Sequence, residues 1–220
     1  PRPFPGDRPL TKSSLPIAIV HLDESCLGNG KPGDNPGGAG GLVEIRTSAG
    51  LQRREFYLHS KATTNNRMAL ASAIAALQLL GQKKNRLRLL VISDSEYLVK
   101  GIREWAPAWK ARGWVRKGGG IENLELWRAL WQSLDLHDVQ FIWVRGHAGH
   151  PKNEYANDLA IAAATKQITS DGIIESGYDA WLEAKHAARQ YLGYDPDATF
   201  AALESRLAAG ERFPIKEVGA

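Results

Sequence analysis

A short, continuous apolar run at residues 87–93 is the feature that most constrains the fold of this chain. The run is rich in leucine, valine and isoleucine, and its length is typical of a buried strand. A helical pattern precedes it, in which Leu70, Ala73 and Leu77 share one face, and further helical segments follow it. A buried strand between helical segments favours an α/β fold with layered strands and helices.

Four other segments predict the remaining strands of one sheet. Residues 16–23 form a short apolar run, and residues 40–46 and 51–58 flank a turn and predict a hairpin. Residues 139–144 predict a later strand, and an alanine-rich helix follows at 153–166. The order is three strands, helix, strand, helices, strand and helix. This order predicts a mixed sheet with helices packed on it. The helical segments between strands four and five are expected to be interrupted at Pro107, at Gly113 and at Gly118–Gly120.

The chain divides into three parts on these patterns. Residues 1–15 contain proline and arginine without an apolar core, and they predict a flexible lead-in to the α/β domain at 16–168. Residues 169–220 show two amphipathic helical stripes, one reaching Tyr191 and one beginning after Asp195-Pro196. We expect a helical hairpin that docks on the core, on a second copy of the chain or on a protein partner.

Charge and cysteine content narrow the possible partners and the location. The net charge is +4, but residues 170–220 hold five basic and nine acidic residues, so the remainder carries +8. A basic body predicts a polyanionic partner, although a solvated surface would give the same asymmetry. Cys26 is the only cysteine, which fits a reducing cytoplasm. No apolar run approaches the length of a membrane span, so no membrane association is expected.

Two aspartates follow directly from predicted strands. Asp23 ends the first strand and Asp94 follows the fourth. If these strands are neighbours, the two carboxylates converge at one edge and suit Mg²⁺, which prefers oxygen ligands. Aspartate at a strand end is also a common turn former, so the pair alone does not establish a metal site.

Several motifs together resemble type 1 ribonuclease H of the bacterial kind over residues 16–166. They are DESCLGN at 23–29, TTNNRM at 63–68, SDSEY at 93–97, YLVKGIREWAPAWKARGW at 97–114 and VRGHAGHPKNEYANDLA at 144–160. The resemblance implies a five-stranded mixed sheet flanked by helices. It also implies hydrolysis of the RNA strand of an RNA–DNA hybrid with two Mg²⁺ ions, about 4 Å apart, for which Mn²⁺ could substitute.

The family's four metal-binding carboxylates are only half present. The resemblance assigns the first to Asp23 and the third to Asp94, whereas the second falls on Ala69 and the fourth on Asn157. Asn157 keeps a carbonyl oxygen but no charge, and Ala69 offers no ligand. The site therefore holds less negative charge than two divalent ions require, and we expect impaired or absent cleavage.

Neighbouring acidic residues are not expected to compensate. Glu24 follows Asp23 on a strand, so its side chain should point to the opposite face, and it should repel a phosphate. Asp158 follows Asn157 on a helix and is rotated away by about 100°. Deliberate inactivation and natural divergence to a non-cutting protein both remain open as origins of the two replacements.

The resemblance also assigns residues that bind the substrate. A basic, tryptophan-rich protrusion would bind the DNA backbone through Lys100, Trp105, Trp109, Lys110, Arg112, Trp114 and Lys117. Trp105 and Trp109 would equally serve as a helix-packing pair. Six further residues would lie near the substrate backbone and minor groove: Cys26, Asn29, Thr64, Asn65, Asn66 and Glu96.

Residues 64–66 have a second possible role, Glu96 departs from the family pattern, and His147 in a loop completes the expected site. Residues 64–66 also provide the cap of a helix, and Glu96 stands where the family more often has glutamine. His147 would assist proton transfer or product release.

Three functions fit the sequence. The first is a ribonuclease H in an impaired form, and the second is a non-catalytic module that binds RNA–DNA hybrid or a related duplex. The third is a related DNA nuclease or recombinase, because one fold hosts several chemistries. The tryptophan-rich protrusion favours the first two.

Overall fold

The protein is a mixed α/β structure built on a six-stranded sheet. The computed structural model describes residues 15–28, 30–31, 34–82, 85–146 and 148–211. The strands are β1 (Ile17–Cys26), β2 (Gly37–Thr47), β3 (Gly50–Ser60), β4 (Arg88–Ser93), β5 (Asp138–Trp143) and β6 (Ile174–Glu175). Their order across the sheet is β5-β4-β1-β2-β3-β6.

The sheet topology confirms the predicted hairpin and the central strands. Strand β2 pairs antiparallel with β1 and with β3, and β3 also pairs antiparallel with β6. Strand β4 runs parallel to both β1 and β5. The resemblance implied five strands, and this number is corrected to six. The additional strand, β6, belongs to residues 169–220, the C-terminal extension. It pairs with β3 at Arg54 and Glu55.

Seven α-helices surround the sheet in the described part of the chain. They are α1 (Asn65–Gly81), α2 (Glu96–Lys100), α3 (Ala106–Ala111), α4 (Leu124–Ser133), α5 (Pro151–Lys166), α6 (Tyr178–Ala187) and α7 (Ala198–Ala208). A π-helical turn at Gly101–Trp105 joins α2 to α3, and a 3₁₀ turn at Leu134–Leu136 follows α4. None of the described helices is both long and apolar enough to cross a membrane.

The two faces of the sheet bury different sets of side chains. On β1, Ala18, Val20 and Leu22 face the main core, which includes residues of α1 and α4. Ile19 faces the other side, where Phe200 and Leu203 of α7 cover it. Helix α5 also packs against β1 and β2. The C-terminal extension therefore completes the second apolar face of the sheet.

Three predicted boundaries were wrong for identifiable reasons. Pro107 does not interrupt the helical region, because it lies in the first turn of α3 after the π-helical turn. Helix α6 ends at Ala187, before Tyr191, because Arg189 and Tyr191 adopt left-handed backbone conformations. Helix α7 begins only at Ala198, because Asp195 instead accepts a hydrogen bond from the backbone N–H of Asp197.

Candidate active site

Three carboxylates meet where strands β1 and β4 end. Asp23, Glu24 and Asp94 each place one carboxylate oxygen within 4.8 Å of the others. Because β1 and β4 are parallel neighbours paired up to Leu22 and Ser93, the residues that follow lie side by side. The structure thus brings together the two predicted aspartates and adds a third acidic side chain.

The position of Glu24 overturns the expectation that its side chain points away from the cluster. Alternation along a strand sets the direction of the Cα–Cβ bond, but it does not limit where a glutamate carboxylate ends. Strand β4 stops at Ser93, so beyond that point no strand separates the two faces of the sheet beside Glu24. The Glu24 carboxylate can therefore lie beside that of Asp94.

Burial and mutual repulsion make this cluster electrostatically unfavourable without a cation. Burial first, and then the charge of Asp94, raise the pKa of Asp23 to about 8. Burial, followed by the charges of Asp23 and Asp94, likewise raises the pKa of Glu24 to about 8. A positive ion at the cluster would relieve this repulsion, as expected of a cation site.

Asn153 is a member of the site that the sequence interpretation missed. It is almost fully buried on α5, and its side-chain amide donates a hydrogen bond to the Asp23 carboxylate at 3.1 Å. Asn157 lies one helical turn later and is half-buried. The i, i+4 spacing of the two asparagines was the available signal, because such residues share one face of a helix.

Two buried oxygens strengthen the case for a cation. Glu24 Oε2 and Asn153 Oδ1 are both inaccessible to solvent and have no hydrogen-bond partner among the described residues. Buried polar atoms are nearly always satisfied in folded proteins. Together with the carboxylates, these all-oxygen donors fit Mg²⁺ or Mn²⁺.

Ala69 lies on α1 with no solvent exposure and belongs to the main core. It therefore contributes packing and no ligand. Glu24 follows Ala18, Val20 and Leu22 in strand alternation, so its Cα–Cβ bond is directed toward the core face that also holds Ala69. Glu24 on β1 therefore starts from the same face of the sheet as Ala69, where α1 has no carboxylate.

The loop after β5 and the last residue of β5 contact Asp94 directly. The Trp143 indole N–H donates to the Asp94 backbone carbonyl at 2.9 Å, and the Trp143 side chain is partly exposed. A Cβ atom added to Gly146 would lie 2.2 Å from Asp94 Oδ2, so a larger residue here would require the Asp94 carboxylate or the loop to shift. The predicted residue His147 lies outside the described residues.

Much of the predicted basic protrusion surrounds one open cavity. Its volume is about 470 Å³, and its lining includes Trp105, Trp109, Arg112 and Lys117. The rings of Trp105 and Trp109 lie 6.1 Å apart, and Trp109 also packs against the main core. Both predicted roles of these tryptophans, packing and exposure to a ligand, are therefore compatible with the structure.

Other protrusion residues make intramolecular contacts. Lys110 Nζ lies 4.9 Å from the centre of the Trp131 ring, and Trp114 packs edge-on against the same ring. Lys100 is exposed and forms an ion pair with Glu96 at 2.7 Å. The structure thus places Lys100 and Lys110 outside the cavity lining, in contrast to Arg112 and Lys117.

The remaining predicted substrate contacts surround the start of α1. The Thr64 hydroxyl caps this helix by accepting a hydrogen bond from the Arg67 backbone N–H, and Asn65 and Asn66 are half-buried in its first turn. Cys26 Sγ lies 3.4 Å from the Thr63 carbonyl oxygen, and burial raises the pKa of its thiol. Asn29 lies outside the described residues.

Comparisons with known proteins agree with this geometry. The RNase H family model matches residues 16–165. Ribonuclease H of Methylococcus capsulatus is 39% identical over 159 residues, which cover 72% of this chain and 96% of the relative. Ribonuclease H of Salmonella arizonae is 40% identical over 162 residues, covering 73% and 95%.

One solved structure extends the similarity into the C-terminal region. The crystal structure of LC9-RNase H1 is described as a type 1 RNase H with the type 2 active-site motif. It is 41% identical, has a TM-score of 0.75, and covers 94% of this chain and 98% of its own. The matched fold, family model and relatives together show that this chain belongs to the ribonuclease H family.

Proposed function

We propose that this chain is a metal-dependent ribonuclease H that hydrolyses the RNA strand of RNA–DNA hybrids, with Glu24 supplying a carboxylate absent at Ala69. The observation that carries the proposal is the convergence of Asp23, Glu24 and Asp94 within 4.8 Å. The expectation of a silenced site assumed that Glu24 points away, and the geometry removes that assumption. The type 2 active-site motif described for LC9-RNase H1 supports an altered carboxylate set on this fold.

The residues of the cluster have separable roles in this proposal. Asp23, Glu24 and Asp94 supply negative charge, and Asn153 restrains the Asp23 carboxylate through its hydrogen bond. Asn157 offers a neutral carbonyl oxygen from the next turn of α5. When bound, Mg²⁺ or Mn²⁺ ions would activate the attacking water and stabilise charge on the scissile phosphate.

The protrusion would supply substrate binding outside the carboxylate cluster. Arg112 and Lys117 at the cavity would neutralise phosphates of the DNA strand, and the exposed parts of Trp105 and Trp109 would pack on its sugars or bases. Residues 64–66 remain assigned to the minor groove, where a 2′-hydroxyl distinguishes RNA from DNA. A cytoplasmic location and a protein partner for residues 170–220 remain predictions from the sequence.

The function is tested with labelled duplexes of one sequence as RNA–DNA hybrid, double-stranded RNA and double-stranded DNA. We expect cleavage of the RNA strand of the hybrid alone, dependent on Mg²⁺ or Mn²⁺ and abolished by EDTA. Asp94→Asn should abolish cleavage while leaving hybrid binding measurable. Binding of the hybrid without cleavage in either metal would instead support the non-catalytic module.

A further inference from the structure

Two residues of the C-terminal extension hold the exposed side of helix α5. The Trp181 indole N–H donates to the Asp158 carboxylate at 2.8 Å, and the Tyr191 hydroxyl donates to the Glu154 carboxylate. Glu154 and Asp158 are spaced i, i+4, so both contacts lie along one line on α5. The extension therefore forms hydrogen bonds with α5, the helix that carries Asn153.

Aromatic packing reinforces this attachment. The ring of Tyr155 on α5 meets Tyr178 at 5.3 Å and Trp181 at 5.5 Å, both edge-on. Tyr178 and Trp181 stack on each other at 5.8 Å, and Tyr191 stacks on Trp181 at 6.1 Å. These four rings form one continuous cluster between α5 and the extension, and such rings have few side-chain torsions to reorient.

A chain of ion pairs reaches the first turn of α5 from the other direction, and it is exposed only where it meets the extension. Lys152 Nζ lies 2.7 Å from the carboxylate of Glu44, which is fully buried on β2. The same carboxylate accepts a hydrogen bond from Arg53 Nε at 3.1 Å. Arg53 then pairs with Asp179 at 3.0 Å and with Asp197, both in the extension. Truncating Lys152 or Arg53 would remove a cationic partner from the buried Glu44 carboxylate.

The inner side of α5 leaves no room for adjustment. A Cβ atom on Gly38 would lie 2.1 Å from the Ala160 carbonyl oxygen, and one on Gly40 would lie 2.3 Å from that of Ala156. Helix and sheet are thus in near backbone contact on one side, while the extension closes the other. Helix α5 therefore lies between the sheet and the extension, in contact with both.

From these contacts we propose that the C-terminal extension is an intramolecular brace that positions α5, and through it Asn153, at the carboxylate cluster. Trp181 and Tyr191 are then positioning residues, because they act through α5 and do not touch the reacting groups. The inference rests on the proposed function for its catalytic consequence. Its structural part, the placement of α5, can be measured without any cleavage.

The test compares Trp181→Ala and Tyr191→Phe with Glu204→Gln. Tyr191→Phe keeps every ring and removes one hydrogen bond, so it remains informative if Trp181→Ala does not fold. Glu204 pairs with Arg46 at 2.6 Å and joins α7 to β2 without contacting α5. Glu204→Gln is therefore a matched control, because it weakens a contact between the extension and the core that does not involve α5.

Amide hydrogen exchange in the metal-free protein is the first readout, and Mg²⁺ affinity by calorimetry is the second. We expect exchange in the first two turns of α5 to rise about 10-fold in Trp181→Ala, and less in Tyr191→Phe. Mg²⁺ affinity should fall about 10-fold in Trp181→Ala, as for other residues that orient ligands indirectly. Glu204→Gln should leave both quantities within about twofold of the parent.

Unchanged exchange in α5 and unchanged Mg²⁺ affinity in folded Trp181→Ala and Tyr191→Phe would overturn the brace, even if the melting temperature falls. Cleavage assays of the same proteins separate the two proposals. A parent chain that never cleaves hybrid contradicts the proposed function, whereas exchange and calorimetry still decide whether the extension positions α5.

Discussion

The carboxylates of Glu24 and Asp94 lie within 4.8 Å of each other, although Glu24 follows Asp23 on one strand and alternation would send its side chain to the opposite face. Proximity is possible because β4 ends at Ser93, one residue before Asp94. This relationship adds a third acidic side chain to the edge of the sheet where the two predicted aspartates meet.

Removing the Asn153 amide should weaken the site without removing a charge. In Asn153→Ala, the Asp23 carboxylate loses a hydrogen bond of 3.1 Å and gains rotational freedom. We expect Mg²⁺ affinity to fall about 10- to 100-fold, the usual effect of losing a residue that orients a metal ligand. Calorimetry with Mg²⁺ measures it, and an affinity within twofold of the parent would contradict the assigned role.

Asp23 and Glu24 should make the metal-free protein less stable as pH rises. The carboxyls of Asp23 and Glu24 ordinarily titrate with pKa values of 3.8 and 4.5, and burial and mutual repulsion raise both to about 8 in the fold. Between these limits the folded chain binds more protons than the unfolded chain, so the free energy of unfolding decreases as pH increases.

Melting temperatures in EDTA and in saturating Mg²⁺ at pH 5, 6.5 and 8 check this prediction. The difference between the two conditions should widen toward pH 8, because the cation replaces the lost protons. Asp23→Asn should show a smaller fall with pH in EDTA. A pH dependence in EDTA that is the same in Asp23→Asn and in the parent would contradict the raised pKa values.

A single methyl group at Gly146 should disturb Asp94. In Gly146→Ala the new Cβ would lie 2.2 Å from Asp94 Oδ2, so the carboxylate or the loop must move. A displacement near 1 Å at a reacting group costs about 100-fold in rate, and we expect a loss of that order in hybrid cleavage. Gly120→Ala is the control, because its Cβ would meet nothing within 4 Å. Equal rates for both variants would contradict the prediction.

The two lysines of the protrusion should differ in their contribution to hybrid binding. Lys117 lines the cavity, whereas Lys110 lies over the Trp131 ring. Lys117→Ala should therefore weaken hybrid binding and reduce the salt dependence of log Kd by about 1, as for loss of one phosphate contact. Lys110→Ala should reduce it less. Titrations at several salt concentrations measure both, and the reverse order would show that the cavity does not bind the backbone.

The sequence predicted the parts of this structure that depend on periodicity and on strand ends. The hairpin, the central strand and the convergence of Asp23 with Asp94 follow from local patterns, and the structure confirms them. Strand β6 was not predictable in this way, because two residues are too few to show alternation.

The missed features of the site depend on tertiary geometry. Whether the Glu24 carboxylate can approach Asp94 depends on where β4 ends. The residue pattern of β1 does not contain this information. Asn153 reaches the Asp23 carboxylate only because α5 lies against the sheet, a contact made possible by the glycines of β2. The covering of the second face of the sheet by Phe200 and Leu203 likewise depends on how the extension folds back.

The role of Glu24 is tested most directly by Mg²⁺-dependent cleavage of an RNA–DNA hybrid by three proteins. They are the unsubstituted chain, Glu24→Gln, and the double variant Ala69→Glu with Asn157→Asp. We expect the unsubstituted chain to cleave and Glu24→Gln to lose at least about 100-fold in rate, more than for a residue that acts indirectly. An inert chain whose activity appears only in the double variant would show that Glu24 does not replace the missing carboxylate.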